Sequence, residues 1–140
     1  MNVILDANIW ISFLFGKRLG SVNYILRHPD VRIYVSSHLL SEIMQVSLRP
    51  KIKEHIPQST VELMWTLIHE QCQFIDDYPA ISTTIRDEKD SYLLAMAKAI
   101  PADFIVTGDH DLLVLQKFEN TNILTYSEFV QVLSSLSHPE

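Results

Sequence analysis

One stretch of the chain decides the fold: Val3-Ile4-Leu5-Asp6, three consecutive apolar residues followed at once by a carboxylate. A short apolar run that contains β-branched residues is typical of a strand buried on both faces of a sheet. We therefore expect Asp6 at the carboxyl end of a central strand. In open α/β sheets the functional crevice lies outside these carboxyl ends, so the search for a site begins there.

The rest of the chain alternates between strand and helix patterns. Four further apolar runs have the length and composition of strands, and they are Val31 to Val35, Phe74-Ile75, Phe104-Ile105-Val106 and Ile123-Leu124. Four stripes have the spacing of amphipathic helices, and they are Leu39/Ile43/Val46, Val61/Met64/Trp65/Ile68, Leu93/Leu94/Ala97/Ile100 and Phe129/Val130/Leu133/Leu136. Polar stretches predict loops from Gly16 to Gly20, Arg49 to Ser59 and Asp76 to Lys89. This alternation predicts a three-layer α/β/α fold with a five-stranded parallel sheet.

The composition predicts one domain that covers residues 1–140. The chain has 140 residues, of which 47% are hydrophobic and 20% charged, and these values exclude a disordered or collagen-like chain. Cys72 is the single cysteine, which excludes an internal disulfide and a zinc site built on paired cysteines. No apolar run approaches the roughly 18 to 20 residues of a membrane span. We expect a cytoplasmic protein with no membrane partner, and the net charge of −6 argues against a large basic surface for nucleic acid.

Acidic residues follow two of the predicted strands. Asp109 comes shortly after Phe104-Ile105-Val106, as Asp6 follows the first strand. Helix capping is another explanation for polar residues at these positions, since Asn8 can cap a helix that begins at Ile9 and Asp109 a helix that contains Leu112. The sequence leaves both explanations open.

Two further acids lie on the apolar stripes of helices. Glu42 shares a stripe with Leu39, and Asp90 shares one with Leu93, so both are expected to project toward the sheet. A charge on an apolar face is costly unless it is paired or bound to a metal. Alternatively, Glu42 reaches past the edge to solvent and Asp90 stabilises a helix N-terminus. Asp87, one turn before Asp90, either extends the acidic cluster or caps the helix.

Four carboxylates at one edge of a sheet would raise one another's pKa values. A hard divalent cation such as Mg²⁺ or Mn²⁺ relieves this repulsion, because it prefers oxygen ligands, and it retains waters that can serve substrates bearing phosphate. Such a metal activates water and neutralises charge on the phosphate. The pattern therefore favours hydrolysis of phosphodiester bonds.

Four motifs, in order along the chain, resemble the PIN-domain family: Asp6-Ala7-Asn8, Ser41-Glu42-Ile43, Asp90-Ser91-Tyr92-Leu93-Leu94-Ala95 and Thr107-Gly108-Asp109-His110-Asp111. The chain is most similar to stand-alone prokaryotic members that act as toxins of toxin–antitoxin pairs. The resemblance implies a Mg²⁺- or Mn²⁺-dependent endoribonuclease that cleaves RNA, is commonly a dimer and is often blocked by a partner antitoxin. It implies catalytic metal ligands at Asp6, Glu42, Asp90 and Asp109, an outer or second-metal ligand at Asp111, and orienting hydrogen bonds from Asn8 and Thr107.

Other readings of the sequence stay open. A non-catalytic PIN-like module that binds RNA or protein is the alternative function, whereas an aspartyl phosphatase is disfavoured because Asp6-Ala7-Asn8 lacks the second acid of an Asp-x-Asp motif. The basic residues Arg49, Lys51 and Lys53 either contact RNA phosphates or form a solvated loop. His38, one helical turn before Glu42, either shares a metal with it or makes a hydrogen bond at the strand end. The aromatic residues Trp10, Phe13 and Phe15 belong to the core or to a dimer face.

Overall fold

A computed structural model of the protein describes residues 1–15, 19–81 and 91–136. The elements follow in the order β1 (Asn2–Leu5), α1 (Ala7–Ser12), α2 (Leu19–Arg27), β2 (Arg32–Val35), α3 (Ser37–Ser47), α4 (Pro50–His55), α5 (Gln58–Gln71), β3 (Gln73–Phe74), α6 (Ser91–Ala99), β4 (Phe104–Val106), α7 (His110–Leu113), β5 (Lys117–Phe118), β6 (Thr121–Leu124) and α8 (Tyr126–Leu136). In these described parts of the chain, no helix is long and apolar enough to cross a membrane.

The strands of the described chain form one sheet in the order β3-β2-β1-β4-β6-β5. All neighbours pair in parallel except β5, which is antiparallel to β6. In the central strand β1, Val3, Ile4 and Leu5 are all fully buried, although successive side chains point to opposite faces of the sheet. Both faces are therefore covered, and the prediction of a three-layer α/β fold is confirmed.

The prediction of five strands is wrong, because the described residues form a sheet of six. The additional strand β5 pairs Lys117 with Asn122 and Phe118 with Thr121. Glu119, in the turn between β5 and β6, has a φ of 51°, in the left-handed region. A strand of two residues contains neither an apolar run nor an alternating pattern, so nothing in the local sequence distinguishes it from a loop.

Three of the four predicted helical stripes face the core. Leu39 and Ile43 of α3 are fully buried, as are the leucines at the start of α6, and α5 buries Val61, Met64 and Ile68. The stripe on α8 is only half correct, since Phe129 and Leu133 are buried whereas Val130 and Leu136 are each 41% exposed. This last helix therefore packs through a narrower contact than its sequence predicts.

Two predicted loops contain helix, which corrects the sequence interpretation. The polar stretch from Arg49 to Ser59 includes α4, a helix that begins at Pro50. Proline is favourable at the first helical position because its fixed φ suits the helix and its missing N–H is not needed there. Pro50 therefore indicates the start of a helix, although the polar composition of the stretch favoured a loop. The stretch from Gly16 to Gly20 overlaps α2, which begins at Leu19, and residues 16–18 lie outside the described part.

The aromatic residues after β1 divide between core and surface. Trp10 and Phe13 are buried and contact each other edge to face, with ring centroids 6.2 Å apart. Phe13 also contacts Tyr126 of α8, which ties the first helix to the last. Phe15 is 40% exposed, so only the first two residues of this group belong to the core.

Candidate metal centre at the carboxyl edge of the sheet

Polar side chains directly follow three adjacent parallel strands. Asp6 follows β1, Ser36 follows β2 and Thr107 follows β4. Leu5 is in register with Val106, and the Asp6 N–H donates a hydrogen bond to the Val106 carbonyl at 3.0 Å. Because parallel strands end at the same side of the sheet, these polar groups share one edge.

Asp6 is a buried carboxylate with neutral hydrogen-bond donors. Its side chain is only 4% exposed. The Thr107 hydroxyl donates to Oδ2 at 2.7 Å, and the Ala7 N–H donates to Oδ1 at 2.6 Å. Burial raises the pKa of Asp6, these two hydrogen bonds lower it in part, and the nearby charges of Glu42 and Asp109 raise it again. An added cation would favour the ionised form of this carboxylate.

Asp6 also caps the first helix. Through Oδ1 it accepts the Ala7 N–H at the N-terminus of α1, and its backbone is extended as expected for a cap. The alternative in which Asn8 caps this helix is therefore wrong, because α1 begins one residue before Asn8. Asn8 lies exposed on α1.

Asp109 is linked to Asp6 through a single hydroxyl group. The Asp109 N–H donates to Thr107 Oγ1 at 3.0 Å, and the same Oγ1 donates to Asp6. Asp109 Oδ1 accepts the Asp111 N–H at 2.9 Å, which makes Asp109 the cap of α7 and confirms the capping interpretation for this residue. Capping does not remove Asp109 from the edge, where its charge also acts on Asp6.

Glu42 reaches the same region from α3. Its side chain is 27% exposed, whereas Leu39 and Ile43 on the same helix are fully buried. Tyr92 of α6 donates a hydrogen bond from its hydroxyl to Glu42 Oε2 at 2.8 Å. His38 Nε2 lies 3.7 Å from Glu42 Oε1, and the His38 ring stacks on the Tyr92 ring with centroids 3.8 Å apart and planes 10° apart.

Sequence reasoning did not identify Tyr92 as a partner of Glu42. The two residues are 50 positions apart and lie on different helices, so no periodicity connects them. The one signal in the sequence was that Tyr92 lies two residues after Asp90, inside the motif that begins with this acid. The contact depends on how α3 and α6 pack at the edge of the sheet.

Several predicted site residues lie elsewhere or outside the described chain. Asp87 and Asp90 fall within residues 82–90, which are not described. Arg49 precedes α4, and Lys51 and Lys53 lie exposed on it. Arg49 lies beyond Ser47, the last residue of α3, and follows Glu42 by seven residues. The basic cluster therefore belongs to α4 and the residue before it, whereas Glu42 belongs to α3.

The oxygen donors at this edge suit a hard divalent cation. Within residues 1–15, 19–81 and 91–136, no three Asp, Glu, His or Cys side chains form a metal-binding group by themselves. Asp90 directly precedes Ser91, the first residue of α6, the helix that contacts Glu42 through Tyr92. Buried Asp6, whose pKa is raised by burial and by two neighbouring negative charges, fits Mg²⁺ or Mn²⁺ because both ions bind carboxylate oxygens and offset such repulsion.

The sequence of this chain matches the model of a known protein family. The model of a family described as PIN domain matches residues 2–111. Among curated proteins, no sequence matches the chain significantly.

Three solved structures share its fold. PAE2754 from Pyrobaculum aerophilum superposes with a TM-score of 0.66 at 12% identity, over 96% of this chain and 90% of that one. A chain of VapBC2 from Rickettsia felis, in a complex with a DNA fragment from their promoter, gives 0.58 at 17% identity, over 90% and 99% of the respective chains. The T. brucei RRP44 PIN domain gives 0.52 at 16% identity, over 96% and 82%. At these identities the similarity is one of fold.

Proposed function

The chain belongs to the PIN-domain family, whose members are usually metal-dependent nucleases, and we propose that it is a Mg²⁺- or Mn²⁺-dependent endoribonuclease that hydrolyses RNA phosphodiester bonds. One observation carries the proposal: the Thr107 hydroxyl links Asp6 and Asp109 at the ends of two adjacent parallel strands. The charge of Glu42 acts on the same buried Asp6. A purely binding role does not require a buried carboxylate on which the charges of two further acids act.

We assign the metal to Asp6, Glu42, Asp90 and Asp109, with Asp111 as an outer or second-metal ligand. When bound, Mg²⁺ or Mn²⁺ supplies an activated water and neutralises the charge that develops on the phosphate. Thr107 orients the Asp6 carboxylate, because its hydroxyl is held between Asp6 and the Asp109 N–H. The surrounding apolar side chains exclude water from Asp6, which strengthens its attraction to a cation.

We also propose that the protein is the toxin of a type II toxin–antitoxin pair, with a cognate antitoxin as partner and a homodimer as its functional form. The support is the resemblance of the four motifs to those of stand-alone prokaryotic toxins and the shared fold with VapBC2 from Rickettsia felis. The net charge of −6 complements a partner that carries basic residues.

The test is cleavage of end-labelled RNA of mixed sequence with Mg²⁺, with Mn²⁺ and with excess chelator. We expect internal cleavage with either metal, no cleavage with chelator, and a loss of activity in Asp6→Asn. Asp30→Asn is the matched control, because it removes an equal charge at Asp30, an exposed residue that precedes β2 and so lies away from the carboxyl edge. The control variant should cleave like wild type.

The alternative function gives a different result in the same assay. A non-catalytic PIN-like module would bind the RNA and leave it intact with either metal. Gel-shift measurements on the same RNA detect that outcome directly. Cleavage that survives in Asp6→Asn would identify a contaminating ribonuclease and contradict the proposal.

A further inference from the structure

Both oxygens of the Glu42 carboxylate face side chains that the motifs do not assign to any role. Tyr92 donates its hydroxyl to Oε2 at 2.8 Å, and His38 Nε2 lies 3.7 Å from Oε1. The stacking of His38 on Tyr92 at 3.8 Å connects these two neighbours to each other. Glu42 therefore lies in a closed arrangement of three side chains from α3 and α6.

Tyr92 is rigidly held, whereas Glu42 alone is not. Tyr92 is only 7% exposed, and its ring is covered on one face by His38, so its hydroxyl has a fixed position. Glutamate has several rotatable bonds, and a partly exposed carboxylate without a partner samples many rotamers. A fixed donor on Oε2 limits that sampling. Oε1 lies 3.7 Å from His38 Nε2, which is beyond hydrogen-bond distance, so this oxygen can still bind a ligand.

We propose that Tyr92 is a positioning residue that fixes the Glu42 carboxylate for metal binding, an inference that rests on the proposed function above. Tyr92 acts through Glu42 and does not itself touch the metal or the RNA. His38 supports it by holding the Tyr92 ring in plane. The same hydrogen bond ties α3 to α6, so it also fixes Glu42 relative to the first turn of α6.

The variant Tyr92→Phe tests this role, because it deletes only the hydroxyl and keeps the ring that His38 covers. Calorimetric titration with Mn²⁺, in the absence of RNA, should show an affinity about 10- to 100-fold weaker than that of wild type, the usual effect of losing a partner of a metal ligand. Saturating Mn²⁺ should restore most of the cleavage rate. Tyr34→Phe, which deletes a hydroxyl from half-buried Tyr34 on β2, is the matched control and should bind Mn²⁺ like wild type.

A double-mutant cycle separates positioning from a purely structural role. If Tyr92 acts through Glu42, then Tyr92→Phe should cause no further loss of Mn²⁺ affinity in a Glu42→Gln background. Thermal unfolding of each variant without metal gives the structural contribution independently. An equal loss of Mn²⁺ affinity in both backgrounds would overturn the proposal.

The cycle also separates failure of this inference from failure of the proposed function. Weaker Mn²⁺ binding in Glu42→Gln together with wild-type binding in Tyr92→Phe would overturn the role of Tyr92 and leave the metal centre intact. Wild-type affinity in Glu42→Gln would remove Glu42 from the metal site, and it would overturn both assignments.

Discussion

Thr107 Oγ1 lies 2.7 Å from Asp6 Oδ2, and this hydrogen bond joins the ends of β1 and β4 across 101 residues of sequence. The same oxygen accepts the Asp109 N–H at 3.0 Å. A threonine hydroxyl can donate one hydrogen bond, and that of Thr107 donates it to Asp6. The ends of the two strands are therefore joined by a side-chain hydrogen bond in addition to the backbone hydrogen bond from Asp6 to Val106.

Thr107→Val is expected to weaken Mn²⁺ binding and to destabilise the fold by about 1–3 kcal/mol, because it leaves a buried oxygen of Asp6 without its donor. The matched control is Thr121→Val. Thr121 is also buried and donates to the Ala102 carbonyl at 2.7 Å, but it lies at the opposite end of its strand. Urea unfolding should show losses in both variants, and calorimetry should show weaker Mn²⁺ binding only in Thr107→Val. Equal Mn²⁺ affinities in the two variants would contradict the orienting role.

Asp6→Asn is expected to stabilise the metal-free protein at neutral pH while it weakens Mn²⁺ binding. Burial raises the pKa of Asp6 above its unfolded value, so its contribution to stability is full below the unfolded pKa and is lost as the pH rises through the folded pKa. Asparagine does not ionise and escapes this loss. Urea unfolding from about pH 3 to about pH 8, a range that spans the usual carboxyl pKa, should show an advantage of the variant that grows with pH. An advantage that shrinks with pH would show that the sign of the shift is wrong.

Asp90→Ala is expected to abolish RNA cleavage, and Asp87→Ala to leave measurable activity. The reason is the spacing of the sequence stripe, in which Asp90 lies one turn before Leu93 and Leu94, at i, i+3 and i+4, whereas Asp87 lies a further turn before them. Both residues lie outside the described part of the chain. RNA cleavage by the two variants is the measurement that distinguishes them. An inactive Asp87 variant together with an active Asp90 variant would show that the assumed helical register is wrong.

Replacing Arg49, Lys51 and Lys53 with alanine is expected to weaken RNA binding about equally for all sequences, because phosphate contacts carry no base information. If each residue contacts one phosphate, the slope of log affinity against log salt should fall in magnitude by about 2 for single-stranded RNA. The cleavage rate at saturating RNA should survive, because these residues lie beyond the carboxylates. Binding isotherms at several salt concentrations measure the effect.

A matched control tests whether lost charge alone explains such a result. Arg32 of β2, Lys98 in the last turn of α6 and Lys117 of β5 are exposed and lie outside the basic cluster. Their triple alanine variant also removes three positive charges and should keep the wild-type salt slope. An unchanged slope in the triple variant of the basic cluster would assign this cluster to solvent or to a protein interface.

The Cys72 thiol is expected to resist alkylation in the native protein. Cys72 is 7% exposed, and burial raises its pKa to about 12, so almost no reactive thiolate forms at pH 8. Iodoacetamide should therefore react only through opening of the structure, at a rate that increases steeply with urea. Rapid alkylation of the native protein at pH 8 would contradict the raised pKa of the thiol.

The raised pKa of Cys72 also affects stability. The contribution of the thiol to the free energy of unfolding is full below its unfolded pKa and declines as the pH rises from there toward about 12.

The sequence predicted the central strands and the acids that follow them, for a physical reason. Val3, Ile4 and Leu5 are fully buried, as are Ile105 and Val106, and Phe104 is half-buried. Strands covered on both faces have continuous apolar runs, which can be recognised from the sequence alone. The positions of Asp6 and Asp109 at the carboxyl ends of the strands were predictable, because Asp6 is one residue after the first run and Asp109 is three residues after the second. Parallel pairing then brings such acids to one edge whatever the details of the loops.

Features that depend on single long-range contacts could not be predicted. The antiparallel strand β5 depends on a turn in which Glu119 adopts a positive φ, and Asn120 is the one common turn residue of the two that form this turn. The hydrogen bond from Tyr92 to Glu42 depends on the packing of two helices. Asp6 rather than Asn8 caps α1 because the helix begins immediately at the strand end, a boundary that periodicity cannot locate to one residue.

In the described part of the chain, the sheet is bordered by strands of only two residues, β3 on one side and β5 on the other. A free margin this short offers few backbone N–H and C=O groups with which another chain could pair. Growth of the sheet from one molecule into the next by pairing with β3 or β5 is therefore disfavoured. We expect concentrated solutions of the folded protein to resist cross-β aggregation, and variants that extend β3 or β5 to lose that resistance.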